Sequence, residues 1–109
     1  MKSSVTETGS ADGIGFSLVH QGERPWLVLT HGAFCTMDEW QPLVGRLGEC
    51  HNLMLWDLPG HGRSRLVPPV KSLAEGADAL AKAMDAAGIV DAVHLAHSFG
   101  GMVAQAFAR

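Results

Sequence analysis

Residues 92–101 read Ala-Val-His-Leu-Ala-His-Ser-Phe-Gly-Gly and decide the fold class. The first five form a short apolar run typical of a strand buried on both faces, and the residues from Gly100 onward are helix-like. Ser98 therefore stands at the turn from a buried strand into a helix. A sharp turn of this kind holds a serine hydroxyl exposed. Small residues two positions away on either side, Ala96 and Gly100, let the strand and the helix approach closely.

Ser98 has two interpretations at this point. As a nucleophile, it would be exposed by the strained turn, and the unpaired N–H groups that open the next helix would attract developing negative charge. As a helix N-cap, it would only accept a hydrogen bond from the first helical turn and would have no chemical role. A serine between small residues is a weak signal by itself, so the other motifs have to decide between the two.

Alternating strands and helices indicate an α/β fold. Strands are predicted at residues 13–20, 26–30, 52–56 and 92–96, and helices at residues 42–47, 73–87 and 100–109. This alternation favours right-handed crossovers and a mostly parallel sheet with helices on both faces. Ligands of such sheets bind beyond the carboxyl ends of the strands, where loops begin at His31, Asp57 and His97.

The helix predicted at residues 73–87 has the clearest boundaries. Ser72 and Glu75 form a potential capping box at its start, and Gly88 stands where the helix would end. Its expected core face consists of apolar residues spaced three and four apart: Leu73, Ala77, Leu80, Met84 and Ala87.

The length allows one domain. The chain has 109 residues and a mass of 11.6 kDa. Residues 1–10 are polar, so we expect a flexible N-terminus there, and we expect residues 11–109 to form the folded part.

A second motif follows the strand at residues 26–30. His31 and Gly32 come directly after it, and Gly32 lets the backbone turn so that the next N–H points across the edge of the sheet. Acyl transfer needs two N–H donors for the developing oxyanion. We expect Phe99 N–H to be one and Ala33 N–H to be the other, with Phe34 N–H as the alternative.

A third motif, Asp-Leu-Pro-Gly-His-Gly-Arg-Ser at residues 57–64, follows the next strand. With this motif in place, the sequence resembles the α/β-hydrolase superfamily over residues 13–109, and its small esterases and lactonases most of all. The order and approximate spacing of the three motifs match those of the family, although Ala96 replaces the usual glycine. The resemblance implies that the chain is the N-terminal half of such a fold.

The resemblance also implies roles for individual residues. Ser98 would be the nucleophile, and the amides of Ala33 and Phe99 would form the oxyanion hole. The supporting residues would be His31, Gly32, His97 and Gly100. Asp57 would hold the glycine-rich loop rather than act as the triad acid, and His31 and His61 would order loops.

The family's triad order of Ser, then an acid, then His raises a difficulty, because no His, Asp or Glu follows Ser98. None of the six histidines can then be the family's base. We therefore expect the base and the acid to lie outside these residues, in a longer protein. Two alternatives stay open. One is other serine-dependent chemistry of this fold, such as carbon–carbon bond hydrolysis, haloperoxidation or hydroxynitrile cleavage. The other is a non-catalytic fragment that depends on a partner.

Charge and composition exclude several classes of function. Eight Lys and Arg against eleven Asp and Glu leave a net charge of -3, which argues against a basic nucleic-acid binder or a polybasic membrane patch. No apolar run is long enough to span a bilayer. Cys35 and Cys50 are too few for a disulfide framework, which favours a cytoplasmic setting. We expect no metal or cofactor, and a small ester-like molecule as substrate.

Overall fold

The computed structural model describes residues 5–109. Within that range the strands are β1 (Val5–Ala11), β2 (Ile14–His20), β3 (Trp26–Thr30), β4 (Asn52–Trp56) and β5 (Val93–Ala96). The α-helices are α1 (Gln41–Leu47), α2 (Leu73–Ala87) and α3 (Phe99–Ala108), and 3-10 turns cover Met37–Trp40 and Gly62–Ser64. The α/β fold class is confirmed.

The sheet is mixed, with the order β1-β2-β4-β3-β5. β3 runs parallel to both β4 and β5, whereas β2 runs antiparallel to both β1 and β4. The prediction of a mostly parallel sheet therefore holds only for β4, β3 and β5. The difference arises because only residues 21–25 connect β2 to β3. Such a connection is too short for the crossover that parallel strands need, so β2 runs antiparallel to β3 and β4.

The N-terminal prediction is wrong for residues 5–10, and residues 1–4 lie outside the described part. Residues 5–10 belong to β1, which pairs along its whole length with β2. Asp12 and Gly13 form the tight turn between the two strands, with φ of 51° and 85°. Asp-Gly is a strong signal for a two-residue hairpin. The polar composition of β1 hid that signal: among the described strands β1 pairs only with β2, and most of its residues face solvent.

Helices cover both faces of the sheet, as predicted. On one face α2 and α3 pack against Phe16, Val28 and Met54. On the other face the segment around Trp40 and α1 packs against the next residues along the same strands, such as Leu29 and Leu55. Alternate residues of β3 and β4 thus enter different cores, which explains their uninterrupted apolar sequences.

The boundaries of α2 agree with the prediction. Ser72 Oγ accepts a hydrogen bond from Glu75 N–H at 3.1 Å, and Gly88 ends the helix with φ 76°. Its core face is rotated relative to the predicted one. The buried residues are Gly76, Ala79, Leu80, Ala83 and Met84, and Leu73 is exposed. Gly76 allows this rotation, because a Cβ there would lie only 2.9 Å from Val103 Cγ2 on α3.

The topology opens a crevice at the carboxyl ends of the parallel strands. The chain leaves β3 toward α1 on one face and leaves β5 toward α3 on the opposite face. Such a reversal between neighbouring strands is where ligands bind in α/β sheets. The loops that follow β3, β4 and β5 all start at this edge.

Leu80 on α2 is fully buried, so shortening its side chain should strongly reduce the stability of the fold. Leu80→Ala should lower the free energy of unfolding by about 2–5 kcal/mol, because it leaves a cavity between α2 and the sheet. The matched control is Leu66→Ala, since Leu66 is 88% exposed. That change should stay within about 0.5 kcal/mol of the parent. Equal urea midpoints for the two variants would contradict this packing.

Candidate active site

The strand-to-helix turn holds Ser98 in a strained conformation. Ser98 has φ 55° and ψ -121°, a backbone region that L-residues rarely occupy. Its side chain is exposed. Although Ser98 occupies the N-cap position of α3, its hydroxyl caps no N–H group within residues 5–109. The N-cap interpretation therefore has no hydrogen bond to support it.

Gly100 lets α3 approach the end of β3. A Cβ at residue 100 would lie 2.6 Å from the carbonyl oxygen of Thr30, and it would also collide with that of His31. Ala96, two residues before Ser98, pairs with Thr30 in the sheet.

Ala33 and Phe99 carry N–H groups that have no hydrogen-bond partner within residues 5–109. By contrast, Phe34 N–H donates to His61 Nε2 at 3.1 Å, and Cys35 N–H donates to the Gly32 carbonyl oxygen at 3.1 Å. Of the two donors considered for the loop after β3, Phe34 N–H is therefore engaged and Ala33 N–H is available.

An open cleft of about 530 Å³ adjoins these two amides. It is lined by Ala33, Phe34, Cys35, Thr36, Leu58, Pro59, Gly60, His61, Gly62, Pro69, Val70 and Phe99. None of these lining residues is Lys, Arg, Asp or Glu. Ser98 immediately precedes Phe99 but does not itself line the cleft. A smaller cavity of about 240 Å³ lies against Val19 and His51, away from the three loops.

His31 is buried and uses both ring nitrogens in hydrogen bonds with loop backbone. Nδ1 donates to the Gly32 carbonyl oxygen at 2.7 Å, and Nε2 accepts from Leu58 N–H at 2.9 Å. This pattern requires the neutral ring, in agreement with burial, which lowers the pKa of His31. The ring thus joins the loop after β3 to the loop after β4 and has no nitrogen left for a substrate.

Asp57 joins the same two loops through its carboxylate and is fully buried. Oδ1 accepts from Met37 N–H at 2.8 Å, and Oδ2 accepts from Arg63 N–H at 2.9 Å. Gly62 is needed beside it, because a Cβ there would lie 2.7 Å from Oδ2. Asp57 is therefore placed to hold loops together, and its oxygens are occupied.

Two residues near the site carried no prediction. Ser64 Oγ donates to the Asp57 carbonyl oxygen at 2.7 Å and accepts from Gly15 N–H at 2.9 Å, so it joins the third motif to β2. Glu39 accepts from Gly32 N–H at 3.0 Å through Oε2, and its Oε1 lies 3.1 Å from His97 Nδ1. The sequence offered a signal for Ser64, because it belongs to the third motif. It offered none for the contact between Glu39 and His97, because these residues are far apart along the chain.

Comparison with known proteins identifies the fold family. The profile of the "Alpha/beta hydrolase family" matches residues 27–109. The chain belongs to the alpha/beta hydrolase family. This assignment confirms the resemblance that the three motifs indicated.

Curated relatives of this alpha/beta hydrolase include 2-succinyl-6-hydroxy-2,4-cyclohexadiene-1-carboxylate synthases. That of Photorhabdus laumondii is 39% identical over 82 residues, which are 75% of this chain and 29% of the relative. That of Salmonella arizonae is 36% identical over 84 residues, 77% of this chain and 32% of the relative. The chain thus spans about a third of the length of these relatives.

Solved structures of other alpha/beta hydrolases share the fold. A membrane phospholipase A, described as a bacterial virulence factor, superimposes with a TM-score of 0.82 at 23% identity, covering 96% of this chain and 35% of that one. Epoxide hydrolase A from Mycobacterium thermoresistibile superimposes with a TM-score of 0.70 at 22% identity, covering 97% of this chain and 35% of that one. No helix within residues 5–109 is long and apolar enough to cross a membrane.

Asp57→Asn should destabilise the protein by about 3 kcal/mol. One carboxylate oxygen becomes an amide NH₂, which leaves a buried backbone N–H facing a donor. Asp38→Asn is the control, because Asp38 is exposed and its carboxylate is only loosely paired with Arg63, at 3.8 Å. That change should stay within about 0.5 kcal/mol. Chemical denaturation measures both, and a loss below 1 kcal/mol for Asp57→Asn would contradict the proposed anchoring.

Burial of His31 predicts a loss of stability in acid. The pKa of His31 is lowered in the folded state, so below about pH 6.5 the unfolded chain binds a proton that the folded chain refuses. The free energy of unfolding should then fall by at most about 1.4 kcal/mol per pH unit for this group. His94 adds in the same direction, because burial lowers its pKa too. Urea titrations between pH 7 and pH 5 give the free energy of unfolding at each pH. It should fall less steeply with decreasing pH in His31→Gln than in the parent, and an equal fall in both proteins would contradict this prediction.

Proposed function

We propose that this alpha/beta hydrolase uses Ser98 to hydrolyse carboxylic esters, thioesters or lactones. The observation that carries the proposal is the strained, exposed Ser98 with no capping bond, next to the unpartnered N–H of Phe99. A serine held in this way is available to attack a carbonyl carbon. The amides of Ala33 and Phe99 are the proposed donors to the oxyanion, since both adjoin the cleft.

In the proposed reaction Ser98 Oγ attacks the carbonyl carbon and gives its proton to a general base. The tetrahedral oxyanion accepts hydrogen bonds from the two amides, the alcohol or thiol leaves with a proton, and water then releases the acid from Ser98. His31 and His61 are poor candidates for the base, because both nitrogens of each ring are hydrogen-bonded. We propose that the base and the acid come from residues outside these 109, in agreement with the greater length of the relatives.

The lining of the cleft supports a substrate with an apolar part. The side chains of Phe34, Leu58, Val70 and Phe99 contribute apolar surface, and the described residues that line the cleft carry no ammonium, guanidinium or carboxylate group. An apolar acyl or alkyl group would gain from leaving water there. A substrate carrying several carboxylates would find no cation among these residues.

The second candidate function is that of the synthases, because a relative named 2-succinyl-6-hydroxy-2,4-cyclohexadiene-1-carboxylate synthase is 39% identical over 82 residues. The product in that name is a carboxylate, which the uncharged cleft does not favour. Turnover of p-nitrophenyl esters of increasing chain length, compared with formation of the named synthase product, separates the two candidates.

A partner-dependent role is the remaining alternative. Among the described strands β5 pairs only with β3, and Val93 on β5 is 62% exposed. An unpaired strand edge tends to be covered. We propose that other residues of the same protein cover it, with a dimer partner as the alternative.

The net charge of -3 gives no support to a nucleic-acid or membrane partner, and the free Cys35 and Cys50 favour a cytoplasmic location.

Ser98→Ala tests the proposed nucleophile. In the full-length gene product a fluorophosphonate should label Ser98, and Ser98→Ala should lose both the label and at least about 1,000-fold in esterase kcat/KM. Ser72→Ala is the matched control, because Ser72 is also exposed and at a helix N-terminus but has an ordinary capping role. Labelling that survives in Ser98→Ala, or is lost equally in Ser72→Ala, would rule out Ser98 as the nucleophile.

A further inference from the structure

Three metal-ligating side chains converge between the cleft and the strand-to-helix turn. Cys35 Sγ, a carboxylate oxygen of Glu39 and a ring nitrogen of His97 all lie within 4.8 Å of one another. They come from different parts of the chain: the loop after β3, the 3-10 turn Met37–Trp40 and the residue before Ser98. Cys35 also lines the cleft.

The donor set suits Zn²⁺. A thiolate, an imidazole and a carboxylate bind zinc at about 2.0–2.3 Å, so the ligand atoms around a tetrahedral ion stand about 3.3–3.8 Å apart. The 3.1 Å between His97 Nδ1 and Glu39 Oε1 is close to such an edge. Since every pair of ligand atoms lies within 4.8 Å, the thiol needs to move by at most about 1 Å to reach such a geometry. Three protein ligands leave a fourth position for water.

Hydrogen bonds around the cluster already orient two of the ligands. Gly32 N–H donates to Glu39 Oε2 at 3.0 Å, and both oxygens of that carboxylate face His97 Nδ1, Oε1 at 3.1 Å and Oε2 at 3.4 Å. Cys35 N–H donates to the Gly32 carbonyl oxygen, which fixes the turn that carries the thiol. Gly32 also makes room for the imidazole, because a Cβ there would lie 2.9 Å from His97 Nδ1. Hydrogen bonds to ligands of this kind typically strengthen metal binding.

We propose that Cys35, Glu39 and His97 form a Zn²⁺ site with water as the fourth ligand. On binding, the Cys35 thiol loses its proton to solvent, and the Glu39–His97 contact is replaced by one bond from each side chain to the metal. No oxidation or reduction is involved. The site departs from the expectation that the protein binds no metal, because residues 35, 39 and 97 show no metal-ligand spacing in sequence.

Bound zinc would connect the loop that carries Ala33 to the residue that precedes Ser98. The two amides proposed as oxyanion donors would then be held relative to each other by metal bonds. Zinc would raise the melting temperature of the folded protein by mass action. Metal binding itself does not depend on whether the proposed hydrolysis is correct.

The test uses Co²⁺ as a spectroscopic substitute in the full-length gene product. The parent should bind one Co²⁺ and show a thiolate-to-cobalt charge-transfer band, which Zn²⁺ abolishes by displacement. Cys35→Ser should lose the band. Glu39→Gln and His97→Gln should weaken Zn²⁺ binding at least about ten-fold in calorimetric titrations. Circular dichroism melts confirm that each variant is folded.

Cys50→Ser is the matched control, because Cys50 is the other free cysteine, is exposed and lies next to His51. This variant should keep both the cobalt band and the parent's zinc affinity. A band lost in Cys50→Ser but kept in Cys35→Ser would overturn the proposal, as would a parent protein that binds no Zn²⁺ at millimolar concentration. Neither readout requires enzyme activity, so failure here is distinguishable from failure of the proposed hydrolase function.

Discussion

The buried carboxylate of Asp57 organises the edge of the sheet on which the site is built. A charge removed from water is stable only if hydrogen bonds replace its hydration, and the N–H groups of Met37 and Arg63 provide them. Each bond draws in a different loop, one following β3 and the other following β4. Neutral His31 adds one bond between the same loops, from Leu58 N–H to Nε2, and a second within its own loop, from Nδ1 to the Gly32 carbonyl oxygen. The backbone around Ala33 is therefore fixed by polar contacts rather than by regular secondary structure.

The strained turn at Ser98 depends on a different constraint, which is steric. Its unfavourable backbone conformation persists because β5 is held by β3 on one side and α3 is packed against the sheet on the other. Gly100 makes the second contact possible, since any side chain there would meet the carbonyl oxygens at the end of β3. Polar anchoring thus positions one proposed oxyanion donor, and close backbone packing positions the other.

The sequence predicted best those elements in which every residue has the same kind of environment. β3 and β4 were predicted to the residue, because strands buried on both faces must be apolar throughout. The site motifs were visible because glycine and serine stand at turns that need them. β1 was missed, since an exposed polar strand resembles a loop. The contact between Glu39 and His97 was beyond sequence reasoning, because only the completed sheet brings these positions together.

The order of the strands has a consequence for the folding pathway. The β1–β2 hairpin joins neighbouring residues and has a low entropic cost of closure, whereas the pairing of Leu29 with Leu95 closes a loop of 66 positions. Ser98 follows that most distant pairing directly. Because β5 and α3 together hold its strained backbone, we expect this conformation to form only once β5 has joined the sheet. If Ser98 is the nucleophile, as proposed, this non-local pairing would keep it inactive until the sheet is complete.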